Sequence, residues 1–432
     1  MPPGRPMIRV LRDTARGRSR PGRQWFDRRR WWAFVVSACA LGLVACAGPS
    51  AGTSSPTGST VGGSSGSPGG TTPSREARSA AGAGGGGGTA GVRTVVDGLD
   101  APWDVAFLPS GDALISERDS GRILRLPPGG TTPSVLMTLP GVVHRGESGL
   151  LGLAVSPTFA TDRYVYAYYT SAQDNRIVRF HVTGGGTGAG AGTGGGTGTG
   201  RGAPPRVDAP TPILTGLADG VIHNGGRIRF GPDGMLYAGV GDTGDRSLAQ
   251  NRERLNGKIL RMRPDGTVPP DNPFPGSLVY SLGHRNVQGL AWDAGGRLWA
   301  AEFGQDRFDE INLIVAGGNY GWPVVEGTGD TEGGRFRNPL VTWTTAQASP
   351  SGIAIRGSTL YVAALRGQRL WEVQLAGATV RGKPQAVLTG TAAMGRLRAA
   401  VDAPDGSVWI ITNNTDGRGQ PRAGDDRILA LR

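Results

Sequence analysis

One hairpin signature recurs along this chain: an apolar strand, a tight glycine-containing turn that usually carries Pro or Asp, and a second apolar strand. It appears as AFLPSGDALIS (106–116), IRFGPDGMLYAGV (228–240), LAWDAGGRLWAAE (290–302), IAIRGSTLYVAAL (353–365) and AAVDAPDGSVWIIT (399–412), with a diverged copy in GLAVSPTFATDRYVYAYY (152–169). Turns of this chemistry fold the flanking runs antiparallel. A hairpin cannot bury both faces alone, so repeated copies must stack on one another. Six of them over about 340 residues predict an all-β fold, a six-bladed β-propeller in which each hairpin supplies the two inner strands of a four-stranded antiparallel blade. A β-sandwich would not repeat one hairpin at such intervals. The 75 glycines and 31 prolines, and the lack of any long run at helical spacing, agree with short strands and many turns.

The formal charge of +12 suggests a nucleic-acid partner until its distribution is considered. Residues 1–30 hold ten Arg and two Asp, a charge of +8, which leaves +4 for the other 402 residues. The basic excess belongs to a leader, and no nucleic-acid partner is expected. Trp31 to Val44 is an apolar run of signal-peptide length, followed by Leu43-Val44-Ala45-Cys46, which resembles a bacterial lipobox. Residues 1–46 are therefore expected to be a lipoprotein signal, with Arg28-Arg29-Arg30-Trp31-Trp32 resembling a twin-arginine export motif. The expected location is the cell envelope, on the outer face of the cytoplasmic membrane through a lipid on Cys46, or secreted. Residues 47–91, rich in Ala, Gly, Ser, Thr and Pro, read as a flexible tether, and 183–206 as a disordered Gly-rich insertion. The folded part is 92–432. The chain's two cysteines, Cys39 and Cys46, both fall in the leader, which excludes disulfide, catalytic-thiol and zinc-thiolate chemistry from the folded domain.

Within the segment VIHNGGRIRFGPDGMLYAGVGD, His223 stands ahead of one strand of a predicted hairpin and Asp242 just past the end of the other. An antiparallel pairing brings those ends together, so the carboxylate can orient the imidazole. On this segment alone, a structural histidine beside a turn aspartate is the simpler account. Four more polar segments fall where a strand passes into a loop: 147–152, 283–290, 365–367 and 396–398. In a propeller, equivalent loops of all blades meet at one end of the central channel.

GLLGLAVSPTF, HNGGRIRFGPDG, NGKILRMRPDGTVPPDNPF, LGHRNVQGLAW, DEINLIVAGGNYGWP and TDGRG, in this order, resemble the soluble glucose/sorbosone dehydrogenase family, the pyrroloquinoline quinone (PQQ) dependent aldose dehydrogenases. The resemblance runs from about Val92 to the C-terminus. It implies a six-bladed propeller, PQQ and Ca²⁺ as cofactors, and oxidation of an aldose at the anomeric carbon, with electrons passed to an external acceptor. By the same resemblance His223 is the general base, Asp242 the carboxylate that orients it, and Arg285 and Asn286 the pair at the quinone edge. Glu147 takes the place of a cofactor-touching glutamine and Arg366 that of a lysine. Arg396 and Arg398 hold the carboxylates, while the main-chain carbonyls of Gly304 and Gln305 bind a calcium at the cofactor. Asp309, Glu310 and Tyr320 match a second, structural calcium site. An aromatic wall over the sugar is not found near Thr345, although Trp343 is close.

Physical chemistry supports the match. PQQ carries three carboxylates, and Arg285, Arg366, Arg396 and Arg398 are planar, permanently charged donors, offset in this expectation only by Glu147. His144, His181 and His284 are expected to be structural, and Trp103, Trp292, Trp299, Trp371 and Trp409 to fill the core between blades. Two rivals remain open at this stage: a non-catalytic propeller binding a glycan or protein at the cell surface, and a metal-dependent propeller lactonase, which would need carboxylate and asparagine side chains around a channel calcium.

Overall fold

The computed structural model describes residues 91–184, 205–390 and 393–432. The expected leader, the tether up to residue 90 and residues 185–204 of the expected insertion lie outside the described residues.

Six sheets form in chain order, each with its first strand innermost. Blade one is Pro102–Phe107, Ala113–Glu117, Arg122–Leu126 and Ser134–Thr138; blade two is Leu150–Val155, Tyr164–Thr170, Asn175–Thr183 and Thr211–Leu217. Blade three is Ile228–Phe230, Leu236–Val240, Lys258–Met262 and Val279–Leu282; blade four is Val287–Trp292, Leu298–Glu302, Phe308–Ile314 and Val341–Thr344. Blade five is Pro350–Arg356, Thr359–Ala364, Arg369–Ala376 and Thr379–Val387. Blade six takes three strands from the C-terminus, Leu397–Asp402, Val408–Thr412 and Ile428–Leu431, and its outer strand, Val92–Val96, from the start of the domain. The first strands touch in cyclic order and the ring is closed. The fold is the six-bladed β-propeller expected, and each of the six hairpins supplies the inner pair of a blade.

Strand alternation explains why the ring holds together. Successive side chains point to opposite faces of a blade, so each strand feeds two seams. In Ala113–Glu117, Leu114 packs into the seam with blade two while Ile115 packs into the seam with blade six. Each of the six seams has its own apolar cluster. Trp103, Trp299, Trp371 and Trp409 are buried in these seams as expected, and Trp292 is half-buried against Tyr237. Trp343 is buried and stacked on Trp371, so it is not a sugar-facing wall.

Two boundaries move. Thr183 and Arg206, placed in the insertion by composition, pair with each other across a short two-stranded extension. Gly91, the expected last residue of the tether, accepts a hydrogen bond from the Arg432 N–H. Among the described residues no helix is long and apolar enough to cross a membrane.

Register fixes which loops share a face. Pro102 lies opposite Glu117, Val287 opposite Glu302, Pro350 opposite Ala364 and Leu397 opposite Thr412. The loops that lead into first strands and those that leave second strands therefore open on one end of the channel. Glu147, His223, Asp242, Arg285, Asn286, Arg366 and Arg396 all stand on those loops, and Arg398 on the start of a first strand.

Candidate active site

His223 sits five residues before its strand, with a backbone φ of 55°, a left-handed conformation unusual for a side chain of its size. Three bonds hold it there. Its N–H donates to Glu147 Oε2 at 3.0 Å, its carbonyl accepts the Thr243 N–H at 3.2 Å, and its Nδ1 lies 2.7 Å from Asp242 Oδ1. The turn that brings Asp242 back admits only glycine at 241, where a Cβ would stand 1.9 Å from the His223 carbonyl oxygen. Asp242 Oδ1 also accepts the Gly244 N–H and Oδ2 the Trp322 indole N–H, both at 2.9 Å. Burial alone would raise the Asp242 carboxyl, but the His223 bond and charge, the Gly244 amide and the Trp322 indole together hold it below the usual range. With an ionised acceptor at Nδ1, the neutral ring carries its hydrogen there and leaves the Nε2 lone pair without a partner among the described residues.

The next loop supplies unspent donors. The Asp242 N–H bonds the Arg285 carbonyl at 2.8 Å, and the Arg285 N–H donates to Glu302 Oε1. The Arg285 guanidinium packs 5.6 Å from the Trp322 ring centre and reaches the Phe303 carbonyl at 3.3 Å through Nη1, while its buried Nε has no partner among the described residues. Burial pulls this guanidinium below its ordinary value, against the opposing charges of Asp242 and Glu302. Asn286, fully buried, accepts the Gly225 N–H at 3.0 Å and leaves its Nδ2 unpartnered among the described residues. Buried polar atoms without partners are rare in folded proteins, and two of them stand here on the loop beside His223.

Blade six contradicts one expectation, that Glu147 alone offsets the arginines. Asp416, which sequence reasoning did not single out, accepts Arg396 Nε and Nη2 at 3.2 and 3.0 Å and lies 3.9 Å from Arg398 Nη2. Arg398 donates through Nε to Asn413 Oδ1 at 2.8 Å and through Nη1 to Gln288 Oε1 at 3.0 Å. Burial among these neutral acceptors, with Arg118 nearby, brings Arg398 down to about 9. Glu147 does not present a free carboxylate to a cofactor, because Oε1 is taken by Arg418 at 2.7 Å and Oε2 by the His223 N–H. Burial would raise this carboxyl, but Arg418 and the His223 amide bring it below its usual range. Arg366 is exposed and makes no hydrogen bond or ion pair among the described residues.

The expected metal ligands form two sets, the Gly304 and Gln305 carbonyls and the trio Asp309, Glu310 and Tyr320; Gly304, Glu310 and Tyr320 line one small cavity, while no group of three or more His, Cys, Asp or Glu among the described residues is arranged to hold a metal. Asp309 spends its oxygens on the Gly304 N–H at 2.9 Å and the Ser349 N–H at 2.6 Å. The Tyr320 hydroxyl bridges the Leu313 carbonyl and the Val315 N–H, a local strand-end cap. Gln305 accepts Arg246 through its side chain. Glu310 shares a cavity of about 10 Å³ with Gly304, Tyr320, Glu302 and Glu326, and burial and the Glu302 charge push it up to about 8. Burial likewise brings Asp309 up to about 6.

The remaining histidines have structural roles. His284 is buried between Ser281 Oγ and Glu302 Oε2, each at 2.8 Å, and stacks on Tyr320. His181 pairs with Asp208 at the exposed extension, and His144 bonds the Ser148 carbonyl. Asp416 and Arg418 were missed although the TDGRG motif contains both; a carboxylate and an arginine two residues apart on a glycine loop were the available signal. Trp322 and Glu302 were also missed, although the NYGWP stretch and the LAWDAGGRLWAAE hairpin contain them; Arg118 carried no local signal.

A family model described as Glucose / Sorbosone dehydrogenase matches residues 99–421. The PQQ-bound structure of an aldose sugar dehydrogenase from Streptomyces coelicolor is 50% identical, with a TM-score of 0.71, and covers 79% of this chain and 97% of that one. An uncharacterized protein of Synechocystis is 32% identical over 371 residues, 75% of this chain and 84% of that protein. Quinoprotein glucose dehydrogenase B of Acinetobacter calcoaceticus is 32% identical over 279 residues, 57% of this chain and 55% of that protein. The chain belongs to the glucose/sorbosone dehydrogenase family.

Proposed function

We propose that this protein is a PQQ-dependent dehydrogenase that oxidises an aldose at the anomeric carbon to the lactone and passes the electrons to an external acceptor. The observation that carries this is the pairing of an oriented, unspent His223 Nε2 with buried unpartnered donors, Arg285 Nε and Asn286 Nδ2, on the adjoining loop. The fit to PQQ is good on the donor side. Arg285 and Asn286 would hold its quinone edge, and Arg366, Arg396 and Arg398 its carboxylates, whereas Glu147 is committed elsewhere. When bound, PQQ supplies the two-electron acceptor for the hydride that leaves the anomeric carbon.

His223 Nε2 takes the proton of the anomeric hydroxyl, and Asp242 keeps the ring in the tautomer that can do so. Arg285, largely withdrawn from water, stabilises the oxyanion as it develops. A calcium at the main-chain carbonyls of Gly304 and Gln305 is part of the proposal. A second calcium at Asp309, Glu310 and Tyr320 belongs to the proposal as well, with Glu310 and Tyr320 lining one small cavity beside Glu302 and Glu326. Export as an envelope lipoprotein through Cys46 completes the reading and rests on the sequence alone.

The test is reconstitution with PQQ and Ca²⁺, followed by dye reduction across a panel of aldoses. His223→Asn, chosen because asparagine tolerates the left-handed backbone, should abolish turnover while PQQ still raises the melting temperature. No dye reduction with any sugar and no PQQ-induced shift would overturn the proposal.

A further inference from the structure

An ionic chain crosses the mouth of the channel and connects blade six to the candidate base. Asp416, whose side chain is almost wholly buried, takes the Arg396 guanidinium on Oδ2 and the Arg418 N–H on Oδ1 at 2.9 Å. The loop between them turns at Gly417, with a φ of 80°, and packs so closely at Gly419 that a Cβ there would meet the Asn414 carbonyl at 2.5 Å. Arg418 is thereby projected across the mouth to Glu147 Oε1 at 2.7 Å, 271 residues away in sequence. The other Glu147 oxygen holds the His223 N–H.

Each link has a reason to be there. His223 is held in a backbone conformation that costs free energy and persists only if its surroundings over-determine it. A carboxylate accepting its N–H is one such constraint, but a Glu side chain left alone would trade that bond for water. Arg418 pins the second oxygen and so fixes the first. Arg418 is itself pinned by Asp416, so the device is anchored at both ends.

We infer that Arg418, acting through Glu147, is a positioning residue for His223. This rests on the reading of His223 as the base. It reassigns Glu147 from cofactor contact to backbone clamp, and it brings the TDGRG loop into the machinery of the site.

The experiment uses the full chain labelled with ¹⁵N-histidine, which gives only four backbone amide signals, together with steady-state kinetics of the PQQ-loaded enzyme. In Arg418→Gln the His223 amide proton should move upfield, because its carboxylate acceptor is released, and kcat should fall about tenfold with the sugar KM little changed. Because Arg418 is half-exposed, the melting temperature should stay within about 1 °C of the parent. Arg418→Lys, which keeps the charge, should recover most of the lost kcat. In a Glu147→Gln background, Arg418→Gln should have almost no further effect. An unmoved His223 amide in Arg418→Gln, or a loss of kcat as large in the Glu147→Gln background as in the parent, would overturn the inference. Failure of the base assignment is separately visible, since it would leave His223→Asn active while the amide shift in Arg418→Gln persisted.

Discussion

Asp242→Asn separates the two jobs assigned to this carboxylate. Three donors converge on it: His223 Nδ1–H and the Gly244 N–H on one oxygen, the Trp322 indole N–H on the other. An asparagine has one acceptor oxygen and must fail at one end. If its carbonyl faces His223, its amide meets the indole N–H donor to donor, so a buried hydrogen bond is lost and two donors are left unmatched. If it flips, its amide faces Nδ1, the imidazole must carry its hydrogen on Nε2, and the lone pair proposed to take the sugar's proton is gone. A lost charge-assisted bond with an unsatisfied buried donor costs about 3 kcal/mol, or about 4 °C in melting temperature for a domain of this size. Removing the base tautomer should lower kcat by about 10²- to 10⁴-fold. The pH dependence follows with a definite sign. The Asp242 carboxyl is lower in the folded state than its ordinary 3.8, so its stabilisation is complete above about pH 5 and is lost as pH falls through its folded value. The variant should therefore lose more stability at pH 7 than at pH 3. The measurements are thermal melts across pH and kcat of the PQQ-loaded enzyme. A variant within about 1 °C at pH 7 and within threefold in kcat would refute the reasoning.

Arg366 makes no hydrogen bond or ion pair among the described residues, so Arg366→Ala should leave the cofactor-free melting temperature within about 1 °C while weakening PQQ binding about tenfold, measured by titration; an unchanged affinity would remove Arg366 from the site. Glu310 is held up at about 8 by burial and by Glu302, so the folded state keeps a proton that the unfolded chain releases near 4.5, and stability falls as pH rises through 8. Glu310→Gln never ionises, and its amide can donate to the unpartnered Asn312 Oδ1 once Asn312 flips. In the presence of a chelator it should melt roughly 3 °C higher at pH 9 and no higher at pH 5; equal melting of variant and parent at both pH values would contradict the assignment.

What the sequence could and could not convey follows from the range of the forces involved. Each inner hairpin is a local event, set by a Pro-Asp-Gly or similar turn between apolar runs, so the blade count was legible. The closure was not. Val92 pairs with Leu431, and nothing in the VRTVV strand states that its partner lies at the other end of the domain. His223 and Asp242 were legible as a pair because one hairpin separates them. Tyr320 was named from the resemblance alone, and no sequence pattern showed that its hydroxyl bonds the Leu313 carbonyl and the Val315 N–H. The arginines were legible individually but not their compensation, since Asp416 and Arg418 lie in a loop with no periodicity, and Arg418 meets Glu147 only once the ring is closed.

The compensation matters, because it separates cations that the fold needs from those a ligand could use. Arg227 is wholly buried, lies 4.2 Å from the Trp103 ring centre, and shares Asp104 with Arg229, and its Nε donates to the Gln288 carbonyl, while the Gln288 side chain accepts from Ser351 and Arg398. Arg396 already has Asp416 within hydrogen-bond reach. Arg398 has only the neutral oxygens of Asn413 and Gln288, with Asp416 at 3.9 Å, and it is this arginine whose charge burial disfavours most plainly. A buried cation with neutral partners gains more from an arriving carboxylate than one already paired. Arg398, with the unspent Nε of Arg285 and Nδ2 of Asn286, is thus where an anionic cofactor would recover the most free energy. Arg396, already paired with Asp416, would gain less from a cofactor carboxylate, and Arg418 with Glu147 clamps the His223 N–H.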